Sequence, residues 1–76
     1  MREGFLRLRT DERFEVINSD YEYITYLTSG DSLELYDSSN RKWIQGRIEH
    51  KSSEGYYFLA DDGRNISLYE NYKVRV

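Results

Sequence analysis

The stretch Trp43-Ile44-Gln45-Gly46-Arg47-Ile48-Glu49-His50 decides the fold class. Apolar and polar residues alternate along it, and a period of two is the mark of a half-buried antiparallel strand. Ile44 and Ile48 share one face with Gly46 between them, where a strand glycine signals a bend or the close approach of another backbone. Strict alternation puts Trp43 on the opposite, polar face with Gln45, Arg47 and Glu49.

The flanking sequence reads the same way. Upstream, Leu33 and Leu35 alternate with Ser32, Glu34 and Tyr36, and Asp37-Ser38-Ser39-Asn40 is a polar loop. Downstream, Lys51 to Gly55 turns the chain into Tyr56-Tyr57-Phe58-Leu59. Asp61-Asp62-Gly63 is a hairpin signal, because Asp-Gly suits turns that need positive φ. Ile66 and Leu68 resume the alternation, Tyr69 to Tyr72 is expected to form one short 3₁₀ turn, and Lys73-Val74-Arg75-Val76 closes with both valines inward. Toward the N-terminus, Leu6 and Leu8 share a face opposite Arg7 and Arg9, and Phe14 and Val16 point inward. Asn18-Ser19-Asp20 is a turn cluster, since these side chains bond their own backbone. Tyr21 to Leu27 is rich in aromatic and β-branched residues and predicts a strand. Tyr21 and Tyr23 fall on one of its faces, Ile24 and Tyr26 on the other. Roughly seven short strands with turn signals about every 8–12 residues predict a small all-β sandwich or barrel.

Composition sets limits on this reading. A chain of 76 residues has room for one domain, with no internal repeat or linker. It has no Cys, hence no disulfide framework or thiolate metal site, which suits a cytoplasmic protein. Nothing in it predicts a membrane span or a secretory signal. The aromatic share of 16% argues against disorder and supplies large side chains for a thin core. So small a core is also compatible with self-association. The net charge of -3 divides unevenly: residues 1–38 carry four basic and nine acidic residues, and residues 39–76 carry seven and five. An acidic first half disfavours phosphate binding there and favours a basic partner.

The order Gly30-Asp31, Leu33-Glu34-Leu35, Trp43-Ile44-Gln45-Gly46-Arg47-Ile48, Gly55-Tyr56-Tyr57-Phe58, Ile66-Ser67-Leu68 and Val74-Arg75-Val76 resembles the small SH3-like and Tudor-like barrels. It is more closely similar to a family of short uncharacterised bacterial proteins, often carried on mobile elements. The resemblance covers residues 28–76 and implies a five-stranded SH3-like barrel there; the strand pattern of residues 1–27 is read as an N-terminal β-hairpin extension. It implies no activity. The aromatic cage of Tudor barrels needs an acidic member that cannot be placed beside Trp43, Tyr36, Tyr56 and Tyr57, so the cage is not carried over.

Catalytic constellations are missing from the pattern. His50 is the only histidine and sits at a strand end, and the five glycines are too scattered for a phosphate loop. No cofactor or metal site is expected, and the chain is read as a non-enzymatic protein-interaction module. The uneven charge, together with the resemblance to mobile-element proteins, extends that to an inhibitor encoded by a mobile element that binds a host or defence protein through its acidic N-terminal half. The residues assigned to an interaction surface are Trp43, Arg47, Tyr36, Tyr23, Glu22 and Asp20. An exposed Trp beside Arg is a common interface anchor, although a bulge or the N-terminal segment would equally bury Trp43. The alternative is a small nucleic-acid-binding barrel, stacking bases on aromatics beside basic residues, through Arg41, Lys42, Tyr56 and Arg64.

Overall fold

The alternation around Ile44 and Ile48 is realised as β5 (Lys42–Lys51), the longest strand. It is the centre of a ladder with β4 (Ser32–Asp37) and β6 (Gly55–Ala60). The computed structural model describes residues 2–76; Met1, the first residue of the expected extension, lies outside them. The remaining strands are β1 (Glu3–Leu8), β2 (Phe14–Ile17), β3 (Tyr23–Tyr26), β7 (Asn65–Ser67) and β8 (Lys73–Arg75). They form one antiparallel sheet in the order β3-β2-β1-β8-β4-β5-β6-β7, with no helix among the described residues.

The all-β class is as the alternation predicts, but the architecture differs from the expected five-stranded barrel with a hairpin appended. Residues 28–76 do supply five strands, ordered β8-β4-β5-β6-β7. The first segment, however, is a three-stranded meander, and β8 uses both of its edges. One edge pairs Arg75 with Glu34 of β4, and the other pairs Arg75 with Glu3 of β1. The N-terminal strands therefore continue the same sheet. It ends openly at β3 and β7 instead of closing.

The inner face carries the core. Leu6, Phe14, Val16, Leu33, Leu35, Ile48, Phe58, Ala60 and Val74 form one buried cluster with Leu27. The sheet coils to enclose it. Residues of the β1–β2 turn and of the β5–β6 turn, Glu12 and Ser53 among them, line one common depression. A Cα radius of gyration of 11.5 Å matches the value of about 11 Å for a compact chain of this length. Gly46 is required by the coiling. The Phe58 ring crosses its inner face, so a Cβ there would lie 2.5 Å from Phe58 Cζ and 2.8 Å from Ala60 Cα. Leu8 follows the alternation but stands at the end of β1, where the core gives out, and is 47% exposed.

Three of the hairpins use one device. The β1–β2, β2–β3 and β6–β7 turns each close with an i→i+3 hydrogen bond, from Glu12 N to Arg9 O, Tyr21 N to Asn18 O, and Gly63 N to Ala60 O. The last turn residue then takes a left-handed conformation, φ 68° at Glu12, 62° at Tyr21 and 94° at Gly63. Glycine adopts that conformation freely; a side chain makes it cost about 1–2 kcal/mol. The Tyr69–Tyr72 segment is likewise a turn and not the expected 3₁₀ element. Asn71 has φ 68°, which no right-handed helical turn contains.

The β2–β3 ladder shifts register between Val16 and Ile17, pairing Val16 with Thr25 and Ile17 with Tyr23. The extra residue, Ile24, packs on the core. This bulge corrects the period-two reading of β3. Tyr26 does not share a face with Ile24; it lies opposite Glu15 with the Arg9 guanidinium 5.5 Å above its ring, on the outer face with Tyr23.

Candidate interaction surface

Opposed residues of a sheet project to the same face, so the ladder registers define what the outer face presents. Tyr23 lies opposite Ile17, Ile17 opposite Phe5, and Phe5 opposite Lys73. The Lys73 ammonium sits 5.1 Å from the centre of the Tyr36 ring, and Tyr36 lies opposite Trp43. One transverse row, Tyr23-Ile17-Phe5-Lys73-Tyr36-Trp43, thus crosses six strands. At roughly 4.8 Å per strand it spans roughly 24 Å.

The Trp43 end of the row is rigidly built. No register shift interrupts β4–β5, so Trp43 keeps the outer face that alternation assigns it. Its ring meets Tyr36 edge-on, with centroids 5.2 Å apart. The Arg75 guanidinium lies 4.2 Å from the Trp43 centroid, and Lys73 Nζ lies 5.9 Å from it. These cations sit over ring faces, where the quadrupole attracts them. Trp43 and Tyr36 are half-buried as a result.

A second, polar row runs beside the first: Gln45, Glu34, Arg75 and Glu3. Arg75 Nε donates to Glu34 Oε1 at 2.6 Å, Gln45 Nε2 donates to Glu34 Oε2 at 3.1 Å, and Lys73 Nζ lies 3.6 Å from Glu3 Oε1. Glu34 is only 6% exposed. Its hydrogen bonds from Arg75 and then Gln45 hold its carboxyl below the ordinary value of 4.5, against the opposing effect of burial. Asn40 does the same for Asp37, as does the Arg64 backbone N–H for Asp62.

A carboxyl depressed in the folded state stabilises above its unfolded pKa and loses that contribution as pH falls through the folded one. Stability should therefore decline below about pH 4.5. Glu34→Gln, which keeps the shape and removes the titration, should flatten that acid limb in denaturant melts taken across it. An acid limb of unchanged slope in the variant would contradict the assignment.

The sequence-assigned surface residues are partly united. Trp43, Tyr36 and Tyr23 lie in the aromatic row. Asp20 and Glu22 sit on the β2–β3 turn at its Tyr23 end. Arg47 is on the same face but nearer β6, where its Nε holds Glu49 at 2.6 Å. The residues of the nucleic-acid alternative are divided. Lys42 and Arg64 border one shallow depression with Trp43, but Asp61 and Asp62 line it too, and Arg64 Nε pairs with Asp62 at 2.8 Å. Arg41 lies in the β4–β5 loop with φ 53°. Tyr56 is on the inner side at the other end of β6, packed against the core and against His50 at 4.6 Å.

Sequence reasoning did not assign Phe5 or Ile17 to this surface, and it grouped Lys73 and Arg75 only with the basic residues of the nucleic-acid alternative. Alternation does place Lys73 and Arg75 opposite the inward Val74, but only the long-range β1–β8–β4 pairing carries them to the aromatic pair.

This is a small antiparallel β domain with one apolar face turned inward and an aromatic-rich, internally ion-paired face turned out. The chain belongs to the family described as a domain of unknown function, DUF5348, whose model matches residues 6–76. No curated protein and no solved structure matched the chain.

Proposed function

We propose that this chain is a non-enzymatic protein-interaction module and that the transverse outer-face row is its contact surface. The observation that carries the reading is the row itself, with five of its six members aromatic or aliphatic on the outer face of the sheet, Ile17 buried beneath its neighbours and Tyr23, Phe5, Tyr36 and Trp43 at least partly exposed. Protein interfaces concentrate aromatic residues and Arg at their centres and are depleted in unpaired charge there. The cations along the row fit that pattern, because Arg75 is engaged by Glu34 and Lys73 by Glu3. The five strands β4–β8 in the order β8-β4-β5-β6-β7 support reading this part as an SH3-like unit extended by the meander. The resemblance to mobile-element proteins extends the proposal to a cytoplasmic inhibitor of a host or defence protein. Its acidic contact would come from Asp20 and Glu22; Glu34, buried under Arg75, is not available for that role. Affinity capture with the wild-type chain and with Trp43→Ala tests the module: a protein retained by the first should be lost from the second.

The nucleic-acid reading has less support, because the basic residues nearest the aromatics already face carboxylates. Single-stranded oligonucleotides should show no binding at about 50 mM salt, where phosphate contacts are strong. Binding that falls steeply as salt is raised would reverse the order of the two readings.

A further inference from the structure

We propose that the depression formed by Phe5, Ile17, Asn18, Ser19, Tyr21 and Asn71 accepts one large apolar side chain of the protein partner, flanked in that partner by Lys or Arg. This rests on the reading of the outer face as a protein-contact surface and names the chemistry recognised at one end of it.

The depression encloses about 350 Å³. That is the low end of the roughly 300–1,000 Å³ of ligand pockets, and it suits a side chain better than a cofactor. Its floor is apolar. Phe5 and Ile17 are the middle members of the aromatic row, and Ile17 is only 5% exposed although it projects outward. The rim is held stiffly by Asn18. Its Oδ1 accepts from the backbone N–H groups of Asp20 and Glu22, each at 2.9 Å, and its Nδ2 donates to Glu22 Oε1 at 3.0 Å.

Tyr21 is the feature that folding does not explain. It occupies the left-handed position of its turn with φ 62°, as Glu12 does in the β1–β2 turn and Gly63 in the β6–β7 turn, and of the three it alone is aromatic. Its side chain is 77% exposed, so burial does little to offset the cost of that backbone conformation. A strained aromatic standing beside an apolar floor is placed to cover something that enters. The charge around it sets the sign of the entrant's neighbours. Asp20 and Glu22 flank Tyr21 directly, and neither is in an ion pair among the described residues. A phosphate or an acidic peptide would meet these carboxylates, whereas Lys or Arg would complement them.

The test is an amide-resolved NMR titration of the ¹⁵N-labelled chain with three capped peptides: Lys-Lys-Phe-Lys-Lys, Lys-Lys-Gly-Lys-Lys and Glu-Glu-Phe-Glu-Glu. The first should shift the amides of Phe5 and of the β2–β3 turn and bind at least about tenfold tighter than either control. Tyr21→Gly should fold with a Tm no lower than wild type and lose that tenfold preference. Equal binding of the three peptides, no shifts in the millimolar range, shifts centred elsewhere, or full binding by Tyr21→Gly would each overturn the proposal. Affinity capture separates this failure from that of the broader reading. A protein lost on Trp43→Ala but fully kept by Tyr21→Gly would remove the pocket and leave the row.

Discussion

Gly46→Ala should destabilise the fold strongly, by about 3 kcal/mol or more. The added methyl would point into the core, 2.5 Å from Phe58 Cζ and 2.8 Å from Ala60 Cα, and closer still to the Leu59 carbonyl oxygen. Two of those three neighbours are backbone of β6, paired to β5 from Gly46 to Lys51, so no side-chain rotation relieves the contact. Overpacking a core typically costs about 1–3 kcal/mol, occasionally more, and a clash that must move the backbone of a central strand belongs at or above the top of that range. At 0.05–0.15 kcal/mol per residue, a domain of this length has roughly 4–11 kcal/mol in total. A loss of about 3 kcal/mol would lower Tm by about 12–24 °C. Thermal melts followed by near-ultraviolet circular dichroism read this directly. A wild-type melting curve would mean that Phe58 does not cross Gly46 and that the β5–β6 register is wrong.

The same glycine shows how far the sequence was legible. Its place between Ile44 and Ile48 signalled a bend or a close backbone approach, and the structure supplies the approaching strand. Local alternation also placed Leu33, Leu35 and Val74 correctly, because a two-residue period is written in the immediate neighbours. What could not be read was pairing between distant segments. Arg75 lies between Glu3 and Glu34, residues from opposite parts of the chain, and nothing local to β8 encodes either partner. That pairing turns an expected barrel and appendage into one open sheet, and it also assembles the aromatic row. The bulge at Ile24 was equally silent, since β-branched and aromatic residues suit both the regular and the shifted register. Tyr21 and Glu12 occupy left-handed turn positions where local preference calls for Gly or Asn, so those turns carried only a partial signal.

Trp43 is the residue on which the functional account rests. Removing its side chain deletes the end of the row, the edge-on contact with Tyr36 and the platform under Arg75. The fold should survive, because Trp43 is half-buried on the outer face and contributes nothing to the buried core cluster. Lost burial of the ring costs about 1.5–3 kcal/mol and the aromatic-pair and cation–π losses about 1–2 kcal/mol more, which most of the domain's range of roughly 4–11 kcal/mol accommodates. At a protein interface, an aromatic anchor of this kind costs about 2 kcal/mol or more when truncated, roughly a thirtyfold loss of affinity. Trp43→Phe, which keeps a ring against Tyr36, should recover part of it. Tyr69 provides the contrast: it is 60% exposed, stacks on Tyr72 in the β7–β8 turn and has no place in the row.

The most direct test of the outer-face claim is quantitative affinity capture by folded wild type, Trp43→Ala, Trp43→Phe and Tyr69→Ala, followed by binding measurements on the captured protein. The account predicts a loss of at least about thirtyfold for Trp43→Ala, a partial recovery for Trp43→Phe and wild-type affinity for Tyr69→Ala. Wild-type affinity in Trp43→Ala would contradict it.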